Sequence, residues 1–142
     1  MTHEASIIDP ATVVGSSPGA PDAGAPPTRA PELVCPAGSL PALKAAIDGG
    51  ADCVYLGLRD ATNARNFAGL NFDEAAIRSG IAYAHARGRK VLLALNTYPQ
   101  ASNPAPWRSA LDKAAAWGID AVILADPGLM RYAAERHPQQ RL

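Results

Sequence analysis

Cysteine is scarce in this chain. There are two, Cys35 and Cys53, with no CxxC pair, and the three histidines are scattered. That rules out a disulfide scaffold or a clustered zinc site and makes a reduced, cytoplasmic setting the expectation. No run is long and apolar enough to span a bilayer, and the N-terminus lacks the basic start and unbroken apolar stretch of a secretory signal. Thirteen basic residues balance thirteen acidic ones. A nucleic-acid surface run by bulk charge is therefore disfavoured, although one local basic patch is not. The motifs GxSxG, HExxH, P-loop and GxGxxG are all missing, so no catalytic residue is assigned from pattern.

What is present is enough apolar material for one domain: 48% hydrophobic against 18% charged in 142 residues. It is unevenly spread. Residues 1–30 are rich in Pro, Ala, Gly and Ser and nearly lack large apolar groups. They cannot bury enough surface to offset ordering entropy, so a disordered leader is expected there. From Pro31 the texture turns regular. Glu32–Cys35, Cys53–Leu56, Val91–Leu95 and Ala121–Leu124 read as strands. Helices are predicted over Leu40–Asp48 behind a Ser39 cap, from Asp73 to Arg87, from about Trp107 to Trp117, and from Asp126-Pro127 to near His137-Pro138. The strands are unbroken apolar runs, the pattern of parallel strands covered on both faces. GGADCVYLG (Gly49–Gly57) and WGIDAVILAD (Trp117–Asp126) form a weak internal repeat: helix end, Gly, x, Asp, then strand.

Four βα units in this order predict an α/β fold, the N-terminal part of a TIM-type (β/α) barrel, with a doubly wound sheet as the other arrangement. A complete barrel takes roughly 250 residues, and 112 remain after the leader (142 minus 30). Residues 31–142 are thus expected to be the N-terminal half of a barrel domain in a larger protein.

In such folds ligands sit outside the carboxyl ends of the strands. DATNARNFAGLNFDE (Asp60–Glu74) falls there, as the second βα loop. Its Asn63, Arg65 and Asn66, with Asn96 at the tip of the third strand, are the candidate substrate-binding residues. Arg65 offers a planar charged fork suited to carboxylate or phosphate, and the asparagines offer donors and acceptors. Against this stand plainer readings. The asparagines cap turns, and Arg65 pairs with Asp60 or Glu74. Asp126 is read as a helix cap, Cys35 and Cys53 as small buried hydrophobes, and Trp107 and Trp117 as packing for the third helix. His85 is expected to face solvent, and His137 has no evident partner. Phe67, Leu70 and Phe72 are expected to pack.

ELVCPAGSLPALKAAIDGGADCVYLGL (Glu32–Leu58) resembles the opening of the collagenase-like peptidases (peptidase family U thirty-two). TNARNFAGLNF (Thr62–Phe72) resembles the UbiU branch of that family, and KVLLALNTYPQ and AVILADPGLMRYAAERHP continue the likeness, which runs from Glu32 to Pro138. The resemblance implies a role in oxygen-independent hydroxylation during ubiquinone biosynthesis, a UbiV-like homologous partner forming a heterodimer, a quinone precursor as small-molecule substrate, and a [4Fe–4S] cluster. The family's cluster cysteines lie in a later half that these residues do not include; two cysteines cannot supply four thiolates. Other branches imply RNA hydroxylation or peptidase activity. A non-catalytic scaffold that docks through an open sheet edge is the reading from a different class.

Overall fold

The computed structural model describes residues 30–142; the expected disordered leader lies outside the described residues. Four βα units follow one another: β1 (Val34–Pro36), α1 (Leu40–Asp48), β2 (Cys53–Gly57), α2 (Glu74–His85), β3 (Lys90–Leu95), α3 (Ala105–Trp117), β4 (Ala121–Leu124) and α4 (Pro127–Arg136). All neighbouring strands are parallel and lie in chain order, β1-β2-β3-β4. The unbroken apolar runs therefore do form a parallel sheet.

Local chemistry sets the helix ends. The Ser39, Asp73 and Asp126 side chains accept the N–H of Ala42, Ala76 and Leu129, each satisfying one donor of a first turn. Gly118 closes α3 in the left-handed region. Boundaries shift by a few residues from expectation. β1 begins at Val34 and includes Pro36, a residue tolerated because β1 is an edge strand. α2 ends at His85, and Arg87 to Arg89 close back on Ala84 and His85 carbonyls in a turn.

The internal repeat has a physical purpose. In each copy the aspartate exchanges two hydrogen bonds with the start of the preceding strand. Asp52 donates its N–H to the Leu33 carbonyl and accepts the Leu33 N–H on Oδ2, at 2.9 Å each. Asp120 donates to the Val91 carbonyl at 3.0 Å and accepts the Val91 N–H at 2.7 Å. A basic side chain backs each carboxylate: the Arg89 guanidinium beside Asp52, the His85 imidazole beside Asp120. His85 is exposed, as expected, and also bonds a specific partner, Asp120.

The sheet's two faces differ. Register puts Val54 beside Val91 and Leu93 beside Val122. These side chains are buried with Leu43, Ile47, Ile77, Ile81, Leu111 and Ala114 of the helices in one core. The other face carries the row Pro36, Tyr55, Leu92, Ala121 and the row Gly57, Ala94, Ile123. It is partly open: Val34 and Ile123 are 49% and 41% exposed. Coverage of both sheet faces, read from the apolar runs, holds for the helix face only among the described residues. Cys35 lies beside Val54, and Cys53 is its neighbour along β2. Alternation therefore sends the two thiols to opposite faces.

Candidate functional site

The rim at the carboxyl ends of the strands is built around the β2–α2 loop. Leu58 bridges Phe72, and the Phe72 N–H donates to the Gly57 carbonyl, so both legs of the loop are pinned to the sheet. Phe72 is buried; Phe67 and Leu70, expected to pack, are 60% and 46% exposed at the loop's crest.

Side-chain amides hold the crest. Asn63 is buried; its Nδ2 donates to the Leu58 carbonyl at 3.2 Å and its Oδ1 accepts the Arg65 N–H at 3.1 Å. Asn71 sits in the left-handed region (φ 73°), a conformation Asn tolerates better than most residues. Its Nδ2 donates to the Arg65 carbonyl at 2.7 Å, and its own N–H donates to Gly38 of the first rim loop, also at 2.7 Å. From the third strand, Asn96 Oδ1 accepts the Ala64 N–H at 2.8 Å and Thr97 Oγ1 donates to the Ala61 carbonyl at 2.7 Å. Trp107 Nε1 donates to the same hydroxyl, so this buried helix residue also anchors the rim.

These contacts border a cavity of about 400 Å3 at the strand tips. Its floor is made of Gly57 and Ala94, its walls of Tyr55, Phe67, Leu70 and Ile123, with Asn63, Arg65, Asn71 and Asn96 on the polar side. That size and mixed lining suit a small molecule. Three of the four predicted site residues, Asn63, Arg65 and Asn96, come together here. Asn66 is exposed and outside the lining. Asn71, an asparagine of the same loop, does line the cavity, in a left-handed backbone conformation that the sequence does not show.

Arg65 differs from its surroundings in being uncommitted. Its two suggested partners are taken. Asp60 accepts the N–H and hydroxyl of Thr62, and Glu74 binds Arg78 and Lys113. The Arg78 bond, then that of Lys113, holds the Glu74 carboxyl below its usual range. Among the described residues the Arg65 guanidinium has no hydrogen-bond or ion-pair partner. A second hollow of about 400 Å3, bordered by α2 and α3, contrasts with this. Its Arg59, Asp60, Asp73, Glu74 and Lys113 are all bonded within the protein.

Among the described residues, no serine, cysteine, histidine or carboxylate lines the rim cavity. A nucleophile–base pair for hydrolysis is missing from it. Cys53 is buried on the sheet, and burial, followed by the Asp120 charge, pushes its thiol up to about 11. Two thiols on opposite sheet faces do not fit a four-thiolate cluster, and the described residues hold no group of three or more metal-ligating side chains. His137, without an evident partner in sequence, bonds Asp112 at 2.6 Å, as does Tyr132 at 3.1 Å.

Parallel βα units with a ligand-sized cavity at the strand tips define a βα protein of the kind that places its site on the carboxyl rim. The chain belongs to peptidase family U32, whose model matches residues 38–142. It is 39% identical over 107 residues to tRNA hydroxylation protein P of Helicobacter pylori, covering 75% of this chain and 25% of that protein. The Escherichia coli protein of the same name is 34% identical over 110 residues (77% and 24%). A collagenase of Porphyromonas gingivalis is 35% identical over 104 residues (73% and 25%). The chain thus spans about a quarter of the length of the curated relatives it matches. A solved U32 peptidase structure superposes with a TM-score of 0.61 at 17% identity, covering 84% of this chain and 49% of that one; at that identity it shows the shared fold. No helix among the described residues is long and apolar enough to cross a membrane.

Proposed function

We propose that these residues are the first βα units of a TIM-type barrel in a UbiU-type protein, one that supports oxygen-independent hydroxylation of a quinone precursor. The observation carrying this reading is the loop TNARNFAGLNF. It resembles the UbiU branch, and it forms the wall of a cavity whose other sides are Tyr55, Ile123 and small strand-end residues. Aromatic and aliphatic walls with a guanidinium that has no partner among the described residues suit an aromatic ring carrying an anionic or polar substituent. In this reading a UbiV-like partner and a [4Fe–4S] cluster belong to the whole cytoplasmic protein, with the cluster held by residues other than Cys35 and Cys53.

A second reading is favoured by the names of the relatives: hydroxylation of tRNA. The balanced charge of the chain weighs against a large phosphate-tracking surface. Peptidase activity has less support, because the described lining of the cavity holds no serine, cysteine, histidine or carboxylate. Deleting the gene and growing the host without oxygen separates the readings. Loss of ubiquinone with tRNA hydroxylation unchanged is expected. Normal ubiquinone with lost tRNA hydroxylation would transfer the assignment to the second reading.

A further inference from the structure

The asparagines that look like ligand contacts in sequence are largely consumed inside the loop, and two of them converge on one residue, gripping the peptide groups on either side of the Arg65 Cα. Asn63 Oδ1 takes the N–H of Arg65 and Asn71 Nδ2 takes its carbonyl. Each amide is itself anchored. Asn63 is tied to Leu58 at the end of β2 and lies against Gly57, where even a methyl group would collide with it. Asn71 is tied through its backbone to Gly38, and its carbonyl accepts from Arg59 Nη2 at 3.1 Å. Arg65 is therefore the residue whose backbone is gripped from both sides while its guanidinium stays unbonded among the described residues, at the wall of the cavity. A long flexible side chain on a free loop would lose much of its binding energy to ordering. Fixing its peptide removes part of that cost.

We propose that Asn63 and Asn71 are positioning residues: they brace the Arg65 backbone on both sides of its Cα so that its guanidinium selects the anionic substituent of an aromatic ligand in the rim cavity. This rests on the reading of that cavity as the ligand site. Asn63 and Asn71 act through Arg65 and leave the recognition of the ring to Tyr55, Phe67 and Ile123.

The test uses the full-length protein and two probes of similar ring size, benzoate and phenol, with affinities measured by calorimetry at fixed salt. Arg65→Gln should weaken benzoate about tenfold and leave phenol unchanged, the loss of a charged hydrogen bond. Asn71→Gly keeps the left-handed backbone and deletes only the amide. It should weaken benzoate severalfold while phenol stays within about twofold, and Asn63→Ala should do the same. In the Arg65→Gln background, Asn71→Gly should have no further effect on benzoate. Equal loss of both probes in Asn71→Gly, or an undiminished effect in the double variant, would overturn the brace and leave a merely structural amide. Failure of the unsubstituted protein to bind either probe would sink the cavity reading and the brace with it. The expected coupling alongside unchanged cellular quinone would keep the brace and sink the quinone assignment.

Discussion

Asn96, at the tip of β3, reaches across to the β2–α2 loop and accepts the backbone N–H of Ala64 at 2.8 Å, 32 positions away in sequence. This one bond ties the third strand to the loop that walls the cavity. Asn96→Ala should free the Ala64 amide and cost about 1 kcal/mol of stability, with earlier proteolysis between residues 61 and 70. Asn96→Asp retains the acceptor and should stay near the parent. Limited proteolysis with urea melts checks both.

Gly57 has no room for a side chain. A Cβ there would collide with the Asn63 amide. Gly57→Ala should expel that side chain, break its bonds to Leu58 and Arg65, and destabilise by about 1–3 kcal/mol. The same variant should lose benzoate affinity. A melting temperature and an affinity both unchanged would show that Asn63 is not held as described.

At Gly80, in α2, two effects oppose. Alanine gains about 1 kcal/mol of helix propensity over glycine. Its Cβ would also lie 2.8 Å from Leu43 Cδ1, a fully buried side chain of α1. With Leu43 closed in on all sides, overpacking costs about 1–3 kcal/mol and wins. Gly80→Ala should therefore lower stability, and pairing it with Leu43→Ala should recover part of the loss in a denaturation cycle.

Asp120→Ala removes the acceptor of the Val91 N–H and the partner of His85 together. About 1–3 kcal/mol of destabilisation is expected, since the Val91 amide is left without its carboxylate at the mouth of a buried strand. Asp120→Asn keeps an acceptor and should cost less. Hydrogen exchange at Val91 reads the difference directly.

Cys53 gives the fold an alkaline limit. Burial first, then the Asp120 charge, raises its thiol from 9.0 to about 11. The folded value lies above the unfolded one, so this contribution is fully present below about pH 9 and is lost as pH climbs through 11. A two-unit shift is worth about 2–3 kcal/mol. Tyr83, hydrogen-bonded to Asp48, and Tyr132, chiefly by burial, shift the same way. Comparing urea unfolding of the parent and Cys53→Ala between pH 8 and 11 isolates the thiol: the variant should lose less stability over that range. Parallel curves would refute the assignment.

Much of the architecture could be read from local chemistry. Four apolar runs announced parallel strands, and Ser39, Asp73 and Asp126 announced helix starts. Those signals concern neighbours a few positions apart, where periodicity and capping operate. The location of the β2–α2 loop on the rim followed from strand order alone. The roles within it did not. Sequence reasoning left the asparagines between turn-capping and ligand-binding, and left Arg65 between an ion pair and a free fork. Those choices depend on groups brought in from β3, from Gly38 and from the end of β2.

Composition and pattern alone thus settled that residues 31–142 form successive βα units and that the loop rich in asparagine crowns the sheet, because helix and strand signals are written in short-range spacing. Only the folded chain decided that Asn63, Asn71 and Asn96 hold the loop together and that the Arg65 guanidinium finds no partner among the described residues. It also decided that Asp120 binds His85 and that Asp112 binds His137. The bonds of Asn96, His85 and His137 span 25 to 35 positions and are chosen by three-dimensional proximity, while those of Asn63 and Asn71 depend on the particular turns of one loop, and no spacing rule in a linear chain encodes either.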